Sequence, residues 1–143
     1  MTPEEMAELH ATCFPDRPWS AKEFSDLMRQ NGVVVITAPS DAGMLVARSI
    51  PPEAEVLTIA VHPDARGNGL GFGLMQRLLD TLPSVNANEL FLEVAEDNAA
   101  AISLYEKHRF VVTGRRKNYY RQKDGRTCDA LLMRRAVANG PVN

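Results

Sequence analysis

The chain has 143 residues, 45% of them apolar and 24% charged, with a formal net charge of −2. That length suits a single domain able to bury its own core, without a disulfide framework. No basic excess points to nucleic acid as a primary partner, and no apolar run approaches the length of a membrane-spanning helix. The two cysteines, Cys13 and Cys128, form no C-x-x-C pair, and His10, His62 and His108 share no metal-ligand spacing. Reduced thiols, structural or surface histidines and no bound metal are therefore expected. The start, Met1-Thr2-Pro3-Glu4-Glu5, is acidic where a secretory leader needs basic residues, so a cytoplasmic location is expected.

In chain order, Thr2 and Glu5 have capping-box spacing with Pro3 at the first helical position. Met6, Leu9 and Cys13 then recur at helical intervals until Pro15 ends the run. Ser20 and Glu23 form a second capping box, with Trp19 and Phe24 placed as a hydrophobic staple. Phe24, Leu27 and Met28 are expected to be the buried face of this helix, with Asn31-Gly32 at its end. Val33–Ala38 and Met44–Ile50 read as a hairpin, and Glu55–His62 as a third strand. After a glycine-rich stretch, Met75, Leu78, Leu79 and Leu82 give the apolar stripe of a helix. Glu89–Val94 reads as a strand, Asp97 or Asn98 as a cap, and Ile102 and Tyr105 as the inner side of the next helix. Phe110–Tyr120 and Thr127–Met133 form a closing hairpin around Asp124-Gly125. The order calls for a mixed, mostly antiparallel sheet flanked by helices, an α/β (α+β) fold with one strand-helix-strand unit and hence one parallel strand pair. Residues 1–135 are expected to form the domain and 136–143 a frayed tail.

The most informative stretch is Arg66-Gly67-Asn68-Gly69-Leu70-Gly71-Phe72-Gly73, between a strand and a helix. Glycines permit a tight turn and leave backbone N–H groups uncovered, and the helix adds its own unpaired N–H groups and partial positive charge. Such a loop can cradle a pyrophosphate without a lysine. A P-loop is excluded because no Gly-Lys pair occurs there. The dinucleotide fingerprint G-x-G-x-x-G fits in neither frame, since Phe72 and Leu74 stand where glycine is needed.

Arg66, Gly69 and Gly71 match the Arg/Gln-x-x-Gly-x-Gly/Ala signature of the GCN5-related N-acetyltransferase (GNAT) superfamily, which the chain resembles over nearly its whole length. Trp19-Ser20, Ile59-Ala60-Val61, Leu92-Glu93-Val94, Asn98-Ala99-Ala100-Ala101-Ile102, Leu104-Tyr105-Glu106, Asn118-Tyr119-Tyr120 and Asp129-Ala130 carry a narrower resemblance. They are similar to the bacterial ribosomal-protein-alanine N-acetyltransferases. The resemblance implies acetyl-CoA as co-substrate and a protein N-terminus as acceptor, in particular the N-terminal alanine of a small-subunit ribosomal protein. It implies that the backbone of Ile59, Ala60 and Val61 holds the pantetheine and acetyl group. The loop of Arg66, Gly67, Asn68, Gly69, Leu70, Gly71 and Phe72 would hold the pyrophosphate, and Asn98 would contact the cofactor. Glu93 would be general base and Tyr105 general acid. The family usually opens with a strand before the first helix, so that edge strand is expected to be missing. His62 stands where aspartate is common, and His108-Arg109 replaces a pair such as Leu-Gly.

The chemistry asks for these residue types. The amine must lose a proton before it attacks, and the departing thiolate needs one. A carboxylate at a strand end suits the first task. A phenol with an ordinary pKa of about 10 can protonate a thiolate of about 8.5. At pH 7 roughly one α-amine in ten is neutral against roughly one lysine in a few thousand, a difference of about 3 kcal/mol that favours an N-terminal acceptor for a single glutamate base. Trp19, Tyr119 and Tyr120 are placed to wall an acceptor groove, although the tyrosine pair equally suits a half-buried strand end. Arg115, Arg116 and Lys117 suit a solvated strand face or a contact to cofactor phosphate. An acetyltransferase for small amines or lysine, and an acyl-CoA-binding module without catalysis, are the other readings.

Overall fold

The computed structural model describes residues 1–122 and 124–137. Two helices come first, α1 (Pro3–Cys13) and α2 (Ala21–Met28), followed by the meander β1 (Val33–Thr37), β2 (Gly43–Ile50) and β3 (Glu53–Val61). Next come α3 (Leu70–Thr81), β4 (Glu89–Ala95), α4 (Ala99–Lys107), β5 (Val111–Arg121) and β6 (Thr127–Ala136). Both expected capping boxes form, Thr2 with Glu5 and Ser20 with Glu23. The six strands make one sheet in the order β1-β2-β3-β4-β6-β5, antiparallel except where β3 pairs with β4. The parallel pair is the one required by the β3-α3-β4 crossover. No helix among the described residues is long and apolar enough to cross a membrane.

The sheet is covered on both faces. Alternation along β2 sends Met44 and Val46 to a cluster with Met6, Leu9 and Phe24, under α1 and α2. Leu45 and Ala47 go to the opposite face, with Leu74, Met75, Leu78 and Leu82 around α3. Burial on both sides is why β2 reads as a continuous apolar run. Several expectations need correction. Helix α2 stops at Met28, before Asn31-Gly32, and its last turn passes beyond the cluster that seats Phe24. Leu27 is half-buried and Met28 is 40% exposed instead of buried. Strand β3 begins two residues earlier than expected, at Glu53, and stops at Val61 because His62 caps a short 3-10 turn over Pro63–Ala65. Strand β6 runs on to Ala136, and Val137 is buried, with its N–H donating to the Asn88 carbonyl. Residues 138–143 of the expected tail lie outside the described residues.

Candidate active site

The parallel ladder between β3 and β4 has only three rungs, Glu53 with Glu89, Ala54 with Leu90 and Glu55 with Phe91. Beyond Glu55 the two strands part. The cause lies on the other side of β3. Its pairing with β2 slips between Val46 and Ala47, which face Thr58 and Val56, so Leu57 is an extra, unpaired residue. Such a bulge bends its strand and increases the local twist. The wedge it opens leads into a cleft of about 860 Å³. Trp19, Ile59, Glu93, Asn98, Tyr105, Tyr119 and Tyr120 all line this cleft. These seven residues come from five segments spread between Trp19 and Tyr120.

Glu93 lies on the face of β4 opposite Leu92 and Val94, which are buried in the core. Its side chain is 28% exposed, and its Oε1 is 3.0 Å from Nε of Arg116. Tyr105 sits on the inner side of α4 and is 5% exposed. Burial, with a smaller contribution from nearby Tyr120, pushes its phenol well above the ordinary range, so it keeps its proton. Burial also raises the Tyr120 phenol, with the charge of Glu93 as the next cause. Asn98 is the N-cap of α4, its Oδ1 accepting from the Ala101 N–H at 3.2 Å. The capping oxygen is thereby committed, and the amide nitrogen is the group left to meet a ligand.

The tyrosine pair reaches the cleft through a second irregularity. The β5–β6 register shifts between Arg116 and Tyr120, with Asn118 in the left-handed region at φ 53°. Its N–H donates to Asp129 Oδ1 at 2.9 Å, and the Thr127 hydroxyl donates to its Oδ1 at 3.0 Å. The pinned bulge re-aims Tyr119 and Tyr120, which meet edge to face with centroids 5.1 Å apart. Trp19 also lines the cleft, stacked on His10.

The glycine loop lies at the far end of β3 and does not line the cleft itself. Nor do Ala60, buried under α1 and α2, or Val61, whose carbonyl accepts from Cys13 Sγ at 3.3 Å and Arg66 Nε at 3.1 Å. Asn68 is turned to its own loop, donating from Nδ2 to the Ala65 carbonyl at 3.2 Å. Gly67 and Gly69 are left-handed, at φ 84° and 74°, and a Cβ at either would stand in open space. Gly69 caps α3 without a side chain, which leaves the first N–H groups of Leu70, Gly71 and Phe72 uncovered. At Gly71 an added Cβ would stand 3.4 Å from Leu104 Cδ2, so the start of α3 lies against α4, the helix that carries Tyr105. Phe72 turns away and stacks on His108, with centroids 4.0 Å apart. The open N–H cradle and the unpaired edge of β3 suit a pyrophosphate joined to an extended chain.

Three contributors were not legible in the sequence. Arg116 pairs with Glu93 from two strands away, and Arg17 and His10 belong to the wall near Trp19. The basic run gave a hint only. Arg115, Arg116 and Lys117 are exposed, as a solvated strand face has them, but Arg115 is engaged by Glu96 and by Asp129, the latter at 2.9 Å, and Arg116 by Glu93. Among the described residues no group of three or more His, Cys, Asp or Glu side chains is arranged to hold a metal.

Comparison with known proteins points the same way. The Acetyltransferase (GNAT) family model matches residues 3–110. The [Ribosomal protein bS18]-alanine N-acetyltransferase of Escherichia coli is 37% identical over 125 residues, covering 81% of this chain and 79% of that one. N-alpha-acetyltransferase RimI of Mycobacterium tuberculosis is 34% identical over 140 residues, covering 92% and 85%. The crystal structure of the ribosomal-protein-S18-alanine N-acetyltransferase from Escherichia coli superposes with a TM-score of 0.86 at 30% identity, over 99% of this chain and 91% of that one. Arabidopsis thaliana NAA60 in complex with acetyl-CoA shares the fold, with a TM-score of 0.79 at 17% identity over 95% and 93%. With its splayed β3–β4 pair and glycine-capped α3 inside the matched span, the chain belongs to the acetyltransferase (GNAT) family and is an N-acetyltransferase.

Proposed function

We propose that this enzyme transfers an acetyl group from acetyl-CoA to the α-amine at the N-terminus of a protein, with the N-terminal alanine of a small-subunit ribosomal protein as acceptor. The observation that carries this reading is the meeting of Glu93 and Tyr105 in one cleft, at the open end of the β3–β4 wedge. The N–H groups of Gly67 to Phe72 hold the pyrophosphate, the unpaired edge of β3 around Ile59, Ala60 and Val61 holds the pantetheine, and the Asn98 amide steadies it. Arg66 acts from behind, bracing the Val61 carbonyl. Acetyl-CoA supplies the acetyl group as a thioester. Glu93 takes the proton from the acceptor ammonium at its carboxylate, directly or through water. As the new C–N bond forms and the C–S bond breaks, the Tyr105 hydroxyl gives its proton to the departing sulfur; burial keeps the phenol protonated until then while making it a weaker acid. Trp19, Tyr119 and Tyr120 wall the acceptor.

Single-turnover rates and acetyl-CoA binding separate the roles. Glu93→Gln should slow acetylation of an alanine-starting peptide by about 10²-fold while leaving the acetyl-CoA Kd within about twofold. A wild-type rate for this variant would remove Glu93 as the base.

A further inference from the structure

Glu93 and Arg116 stand on different strands, with β6 between them. On β6, Leu132 faces Glu93 on one side and Gly114 on the other. Two rungs on, and so on the same face of the sheet, Ala95, Ala130 and Arg116 stand together. Ala95 and Ala130 are the smallest side chains that strand positions normally carry, so the long Arg116 side chain can lie across this rung and reach Glu93 diagonally. It does so with Nε 3.0 Å from Oε1. The same guanidinium stands over the Tyr119 ring, 5.5 Å from its centroid. Arg115 is committed elsewhere, to Glu96 and Asp129, so the neighbouring arginines have separate partners.

We infer that Arg116 is a positioning residue for acetyl transfer: it anchors one oxygen of the Glu93 carboxylate and leaves the other to meet the acceptor ammonium. This rests on Glu93 being the base. A carboxylate on a flexible side chain samples several rotamers, and pairing one oxygen with a rigid donor fork restricts it to one. Because the guanidinium also lies on Tyr119, one cation ties the base to the aromatic wall of the acceptor site. The Arg116 side chain is 54% exposed, so its value for stability is small and its effect should be on the reaction.

The test uses the full chain with an alanine-starting peptide. Arg116→Ala should lower kcat about tenfold with the acetyl-CoA Kd unchanged, added guanidinium ion should restore much of the rate, and Arg116→Lys should fall between. In a Glu93→Gln background, Arg116→Ala should cost nothing further. An Arg116→Ala enzyme with full kcat, beside a slow Glu93→Gln enzyme, would overturn the inference and leave the base in place. The same would follow if Arg116→Ala slowed the Glu93→Gln enzyme by the factor seen in wild type. A fast Glu93→Gln enzyme would instead defeat the base assignment itself.

Discussion

The N–H of Trp19 donates to Nδ1 of His10 at 3.1 Å, and the two rings stack with centroids 4.8 Å apart. Nδ1 can accept only if it carries no proton, so this contact requires neutral His10. Burial pushes the imidazole down to about 4, against a weaker opposing pull from Glu23. The folded value lies below the unfolded one, so between them the unfolded chain binds the extra proton. His10 therefore stabilises the fold fully above about pH 6.5, and its contribution disappears as the pH falls toward about 4. The expected loss is on the order of 3 kcal/mol. Urea unfolding at pH 7.5 and pH 4.5 should show a larger drop for wild type than for His10→Gln, and equal drops would contradict it.

Gly69 closes the cradle at the start of α3 in a left-handed conformation with open space beyond it. Gly69→Ala should cost about 1–2 kcal/mol of backbone strain. Its methyl would also stand where the pyrophosphate approaches. Titration calorimetry should show the Kd for coenzyme A raised at least tenfold in a folded protein. Unchanged affinity would take the loop out of cofactor binding.

Asn98 caps α4, and substitutions can separate that cap from the cofactor contact proposed for its amide. Serine retains an oxygen for the Ala101 N–H, so Asn98→Ser should unfold within about 0.5 kcal/mol of wild type, while Asn98→Ala should lose about 1 kcal/mol. Both variants lack the amide nitrogen and should bind acetyl-CoA several-fold more weakly. If the serine variant binds like wild type, Asn98 is a cap alone.

Tyr105 keeps its proton above the ordinary phenol range. Its ionisation should therefore leave no alkaline fall in kcat below about pH 10. Tyr105→Phe should be slower by about 10²-fold across the whole range, with its fold intact because only the hydroxyl is lost. A wild-type fall between pH 8 and 9 that vanishes in Tyr105→Phe would contradict this account.

The parts legible in the sequence are those fixed by local chemistry. Thr2 with Glu5 and Ser20 with Glu23 announced two helix starts, and Met75, Leu78 and Leu79 announced the buried face of α3. Glu93, Tyr105, Tyr119 and Tyr120 were named from motif resemblance, and the fold brings them to one cleft. What sequence spacing could not supply is long-range. The bulge at Leu57 opens the wedge because β2 and β3 slip past one another. Arg116 reaches Glu93 because Ala95 and Ala130 leave its path clear. Met28 illustrates the opposite failure. Its helical period matched a buried face, but the helix ended before that face had anything left to cover.

The most direct measurement is the intact mass of two peptides after incubation with the enzyme and acetyl-CoA. One begins with a free alanine, and the other is blocked at its N-terminus and carries an internal lysine. The account predicts a single added acetyl on the first and none on the second. Acetylation of the lysine peptide alone, or of neither peptide, would contradict it.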